Sequence, residues 1–224
     1  MFNERGSARD IMNCVYNPAP FVETRVDVLH TFIRAHPLGA LVTNGPGGPE
    51  ATHVPFFLDP SAALLRCHLA RANPQWRQIE SGGRVLAIFS GAGHYITPSW
   101  YPSKREHGKV VPTWNYVAVH AAGCARLFED TPSLLRHLNE LTDAQESGFA
   151  ERWSVADAPP EYVGGLTKAI VGIEIALDRL EGKWKVSQNR PAADQQGVIA
   201  GLDAAGSHDS REMANLVRDR RSAR

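Results

Sequence analysis

Hydrophobic and polar positions alternate from Lys109 to Phe128, placing Val117, Val119, Ala121, Gly123, Ala125 and Leu127 on one side. That period of two predicts a long, half-buried strand, with Gly123 marking a bend in it. Shorter apolar runs predict strands over Leu38 to Thr43, Ala51 to Leu58, Ala63 to Ala70, Arg84 to Ser90, Ile170 to Leu177 and Trp184 to Ser187. The turn-forming stretch NGPGGPE, Asn44 to Glu50, makes the first two a hairpin, and Pro55 implies an edge position or a bulge. Helical spacing sets Val22, Val26, Leu29 and Ile33 on one face of a helix that His36-Pro37 stops, because a residue before proline is pushed out of the helical region. Asn73-Pro74 opens a brief helix through Glu80, and Thr131-Pro132 opens one striped by Leu134, Leu135, Leu138 and Leu141. Further helices are predicted over Pro160 to Lys168, from Pro191 toward Gly201, and, amphipathic, over Arg211 to Arg221.

Strands in hairpin order with helices inserted between them, not regularly alternating, predict an α+β fold built on an antiparallel barrel. A doubly wound nucleotide fold is not expected, and neither G-x-G-x-x-G nor G-x-x-x-x-G-K-[ST] occurs. Residues 1–13 read as a polar, flexible extension with Met12 as an alternative start, residues 14–205 as the folded domain, and residues 206–224 as a polar tail with helical character. At 224 residues and 43% apolar composition the chain can bury a sizeable core. Its 24 basic and 24 acidic residues leave no global field to attract nucleic acid or anionic lipid. Three scattered cysteines, Cys14, Cys67 and Cys124, suit a reducing cytoplasm better than a disulfide framework, and no apolar run reaches membrane-spanning length.

Four segments concentrate unusual chemistry. In VVPTWNYVAVH, Val110 to His120, Thr113, Trp114 and Asn115 offer a hydroxyl, a stacking surface and a two-way amide, which a flat heterocycle with carbonyls and ring nitrogens requires together; a core strand or a dimer contact is the plainer alternative. HLARANPQW ends a strand with His68, Arg71 and Asn73 and then opens a helix, so cations and free N–H groups converge as for a phosphate, or form an ordinary cap beside a surface arginine. FSGAGHYITPSWYPS, with Tyr95 and Trp100 among its aromatics, reads as a ligand wall or as a loop burying its own rings. GKWKVSQNR sets Lys183, Lys185 and Ser187 opposite Trp184 and Val186, then gathers Gln188, Asn189 and Arg190 at a strand end. No nucleophile, acid/base pair or metal-ligand pattern stands out, so catalytic residues are unassigned and no metal is expected.

Taken in order, HVPF (His53 to Phe56), HLARANPQW, YITPSWYPS, VVPTWNY and KVSQNRPAADQQGV resemble the PaiB-type family of FMN-binding negative transcriptional regulators, over roughly Tyr16 to Leu202. One departure is Gly91-Ala92, where that pattern has Gly-Pro. The resemblance implies an FMN-binding split barrel related to flavin reductases and pyridoxamine-phosphate oxidases, forming a homodimer with flavin near the subunit interface. On that expectation His68, Arg71 and Asn73 serve the phosphate, with Lys185 as a further cation. Thr113, Trp114 and Asn115 face the ring or ribityl chain, Tyr95 and Trp100 wall it, and Gln188 and Arg190 reach it from the partner subunit. Beyond binding, the resemblance implies transcriptional repression, with an FMN-dependent oxidoreductase as the alternative and haem handling as a third. No helix-turn-helix pattern is visible, and the only local candidate for a DNA contact is Arg211 to Arg221, which reads better as a solvated amphipathic helix docked by Met213, Leu216 and Val217.

Overall fold

The computed structural model describes residues 15–80 and 82–222; the expectations for residues 1–13, Met12 and Cys14 lie outside them. Its strands are β1 (Val22–Glu23), β2 (Leu38–Gly45), β3 (Gly48–Pro55), β4 (Phe57–Asp59), β5 (Leu64–Ala70), β6 (Gly83–Ile96), β7 (Thr113–Phe128) and β8 (Ile170–Lys185). The helices are α1 (Val26–Ala35), α2 (Ser103–Glu106), α3 (Thr131–Glu146), α4 (Pro160–Lys168), α5 (Ala192–Ala205) and α6 (His208–Ser222). Every pairing is antiparallel, in the order β3-β2-β6-β7-β8-β5-β4, with β1 added against β8. The mixed α+β architecture is that of a split barrel, since β3 and β4, the two ends of this order, are not hydrogen-bonded to each other.

The alternation in β7 works as the pattern requires. Val117, Val119, Ala121 and Ala125 are buried with Leu41, Leu65, Cys67, Phe89, Ile173 and Ile175 in one apolar core. The bend falls at Gly123, where the β7–β8 register shifts. A Cβ there would lie 2.0 Å from the Ala176 carbonyl oxygen, so the two backbones approach only because the residue is glycine. A 3-10 turn over Pro74–Ile79 closes one end of the barrel with Trp76 and Ile79. Asn73 caps it by accepting the Gln75 N–H, and the buried Gln75 carboxamide donates toward Leu41, Thr43 and Glu50, pinning the turn to β2 and β3.

Several boundaries differ from the sequence expectation, each for a tertiary reason. Val22 belongs to a strand because it pairs with Lys183 of β8, so the first helix begins only at Val26. The run from Ala51 to Leu58 breaks at Phe56, whose ring enters the core, and its second half pairs with β5. Pro55 does close an edge strand, at one end of the sheet order. The segment read as a loop from Phe89 continues as β6 to Ile96 through a bulge between Ser90 and Gly93. The two last predicted strands are one, β8, which spans β5 and β7 along its length. The stretch 206–224 contains α6, which buries Met213, Ala214 and Val217 against the domain. Among the described residues no helix is long and apolar enough to cross a membrane.

Candidate functional site

The end of β6, the start of β7 and the end of β8 meet at one rim of the barrel. Tyr95 and Trp114 are directly paired across β6 and β7, with ring centroids 6.1 Å apart at an interplanar angle of 69°. They remain 45% and 59% exposed, which leaves aromatic surface available for stacking. Their backbone neighbours point the other way. Asn115 is 1% exposed and donates through Nδ2 to Ser187 Oγ at 2.9 Å, while its Oδ1 has no hydrogen-bond partner among the described residues. A buried acceptor without a donor is costly, and an incoming N–H would satisfy it. Ser187 holds this pair from a backbone at φ 62°, a strained conformation for a residue with a side chain. Lys185 Nζ donates to Thr113 Oγ1 at 2.6 Å, which places a cation beside the same rim.

His94 adds a feature that the sequence reading left unassigned. Its Nδ1 lies 2.7 Å from the Tyr95 carbonyl oxygen, which can only accept, so Nδ1 carries the proton. Trp100 does not join the open aromatic pair. Its indole lies against Gly201 of α5 and 6.1 Å from the His94 ring, while its backbone carbonyl lies against Gly197. Gln188 is likewise withdrawn from the expected ligand set. It is buried, its amide bonds the Pro20 and Trp184 carbonyls, and its Oε1 accepts the Val186 N–H, so within this chain it closes its own turn. Arg190 sits over the Tyr101 ring at 4.8 Å.

Of the residues expected at a phosphate, Lys185 stays at this rim, Asn73 lies beside the middle of the sheet, and His68 and Arg71 lie toward the opposite strand ends. His68 pairs with Gly172 on β8, thirteen residues from Lys185, a path of roughly 40 Å along the strand at ~3.3 Å per residue. His68 Nδ1 is 3.1 Å from His137 Nε2 of α3, and burial pushes its imidazole below the usual range, so it enters as a neutral group and not as a cation. The reason is the α3 helix laid over this strand, which no local pattern announced. Arg71 bonds Lys168 O, Ile170 O and Glu129, engaging three of its five N–H groups and leaving two. Asn73 Nδ2 reaches Thr52 Oγ1 at 3.1 Å on β3 and retains a second N–H. These spare donors fit an anionic oxygen cluster, and the rim with Tyr95, Trp114, Asn115 and Lys185 fits a planar heterocycle with polar edges. Among the described residues no group of three or more His, Cys, Asp or Glu side chains is placed to hold a metal ion.

A split antiparallel barrel carrying an open aromatic pair, an unfilled buried acceptor and separate anion donors defines a flavin-binding split-barrel protein. The family model described as "Putative FMN-binding domain" matches residues 15–179. An uncharacterised protein of Emericella nidulans is 36% identical, the match covering 92% of this chain and 97% of that one. The Bacillus subtilis protein named protease synthase and sporulation protein PAI 2 is 33% identical over 92% of this chain and 98% of its own. The chain therefore belongs to the PaiB-type FMN-binding family, and FMN is its cofactor. Among solved structures, the FAD and haem binding protein of Mycobacterium smegmatis superposes with a TM-score of 0.56 at 16% identity, covering 80% of each chain. A flavocytochrome of Azotobacter vinelandii gives 0.55 at 16% identity, covering 73% of this chain and 69% of that one. At these identities the likeness is one of fold.

Proposed function

We propose that this chain works as a homodimeric FMN protein whose flavin serves redox chemistry on a small molecule. The observation that carries the reading is the exposed Tyr95–Trp114 pair at the rim, a platform open enough for a ring to be reached from solvent. FMN, when bound, supplies reversible one- and two-electron transfer. Tyr95 and Trp114 stack, Asn115 on the inner face of β7 fixes the rim through Ser187, and Lys185 favours an anionic reduced ring. Arg71 and Asn73 hold the phosphate with their remaining N–H groups, and neutral His68 contributes a hydrogen bond but no charge.

His68 and Lys185 are registered thirteen residues apart along β8, an arrangement that suits a flavin shared between two copies of the chain, with its ring on one and its phosphate on the other. Arg190, three residues past Ser187, is engaged over the Tyr101 ring within the chain. Direct DNA recognition by the last helix is disfavoured, because its arginines are engaged within the chain. Arg211 bonds Gly206 O, Arg218 pairs with Asp203, Arg220 with Glu23 and Arg221 with Gln196. Any part in repression then follows from the state of the flavin or from a partner, in the cytoplasm where a reduced nicotinamide is at hand.

The test is anaerobic mixing of the FMN-loaded protein with reduced nicotinamide. Bleaching of the flavin absorbance, followed by return of colour on adding a small electron acceptor, is the expected result. A flavin that stays oxidised with nicotinamide and with dithionite-generated one-electron donors alike contradicts the redox reading.

A further inference from the structure

The segment after Tyr95 runs through a 3-10 turn over Pro98–Trp100 into α2, and α5 grips it at three points. A Cβ on Gly197 would lie 1.9 Å from the Trp100 carbonyl oxygen, and one on Gly201 would lie 2.2 Å from the indole, so both positions admit the turn only as glycine. Asp194, 1% exposed, accepts the Ser103 N–H at 3.1 Å and its hydroxyl at 2.7 Å. Ahead of α5, the Arg190 guanidinium covers the Tyr101 ring. On its far side the Trp100 indole meets His94, whose Nδ1–H is bonded to the Tyr95 carbonyl. A continuous set of contacts thus joins α5 to the backbone that aims Tyr95.

We propose that α5 is a positioning element of the flavin site, with Gly201 and Asp194 acting through Trp100 and Ser103 to fix the rim that carries Tyr95 and Trp114. The inference rests on the reading of that rim as the ring site. It assigns a role to a helix that lies beyond the residues matched by the family model. Rigid support matters here because a stacking surface displaced by an ångström loses much of its affinity.

The test is FMN affinity, read by quenching of flavin fluorescence, at a temperature where the melting curve of each variant shows it folded. Gly201→Ala, which pushes against the indole, and Asp194→Asn, which removes the carboxylate, are each expected to raise the FMN Kd fivefold or more. Trp100→Phe, with its smaller ring, restores affinity in the Gly201→Ala background. Gly39→Ala, which crowds Phe89 in the core away from this turn, is expected to stay within twofold of the wild type. A change below fivefold in Asp194→Asn or in a folded Gly201→Ala, or an equal loss in Gly39→Ala, overturns the proposal while the ring site stands. A wild-type chain that takes up no FMN overturns both.

Discussion

His137 shows how far a single side chain departs from what its letter suggests. Buried between His68 and Phe128, with desolvation first and the charges of His68 and Arg66 after it, its imidazole is pushed down to about 3. A folded-state value below the free one means that the unfolded chain binds more protons below pH 6.5, so stability falls as pH drops from 6.5 toward 3. At pH 5 one histidine held neutral in this way costs about 2 kcal/mol, and urea midpoints measured at pH 7 and pH 5 should draw together in His137→Gln. At the rim, Tyr95→Ala and Trp114→Ala should each raise the FMN Kd about tenfold, roughly 1.4 kcal/mol, with little change in melting temperature, because both rings are exposed in the free chain. The residue types of the ring site were legible in the sequence, since Thr113, Trp114 and Asn115 are a poor choice for a plain core strand. The engagement of Gln188 with its own turn was not, because it depends on Ser187 taking a left-handed backbone that nothing in SQNR announces.

At the scale of elements, hydrophobic period gave most of the strands, and the departures came where pairing overrode local preference. Val22 follows its partner on β8 rather than the helical spacing of Val26, Leu29 and Ile33. The join across Asp178 to Lys183 that makes β8 one strand comes from β7, which offers a continuous template beside a polar stretch. The docking of α6 shows the same dependence on distant partners. Glu23, 3% exposed at its side chain, is held by Arg25 and by Arg220 of α6, and these guanidinium hydrogen bonds draw its carboxyl down to about 2 against the opposing effect of burial. A depressed carboxyl stabilises the fold above its free value of 4.5 and loses that contribution as pH falls toward 2. Glu23→Gln should therefore lower stability at pH 7 by about 2 kcal/mol, a figure reduced by the exposure of Arg25, and the difference from wild type should shrink in melts below pH 3. Gly197 and Gly201 stand one helical turn apart on α5, a spacing that lets another backbone come close. Only the fold shows that the contact is Trp100.

For the whole molecule, the barrel class followed from strand order and the absence of nucleotide-loop glycines, whereas the separation of the two halves of the site did not. It follows from β8 being long enough to hold His68's partner at one end and Lys185 at the other. On the proposed reading, in which two copies share the flavin, the chain binds FMN as a pair, and native mass spectrometry of the FMN-loaded chain reads that directly. The account predicts a species at twice 24.5 kDa carrying two flavins, with Trp114→Ala lowering the flavin occupancy at the same FMN concentration but keeping the dimer. A single chain that holds FMN by itself would contradict it.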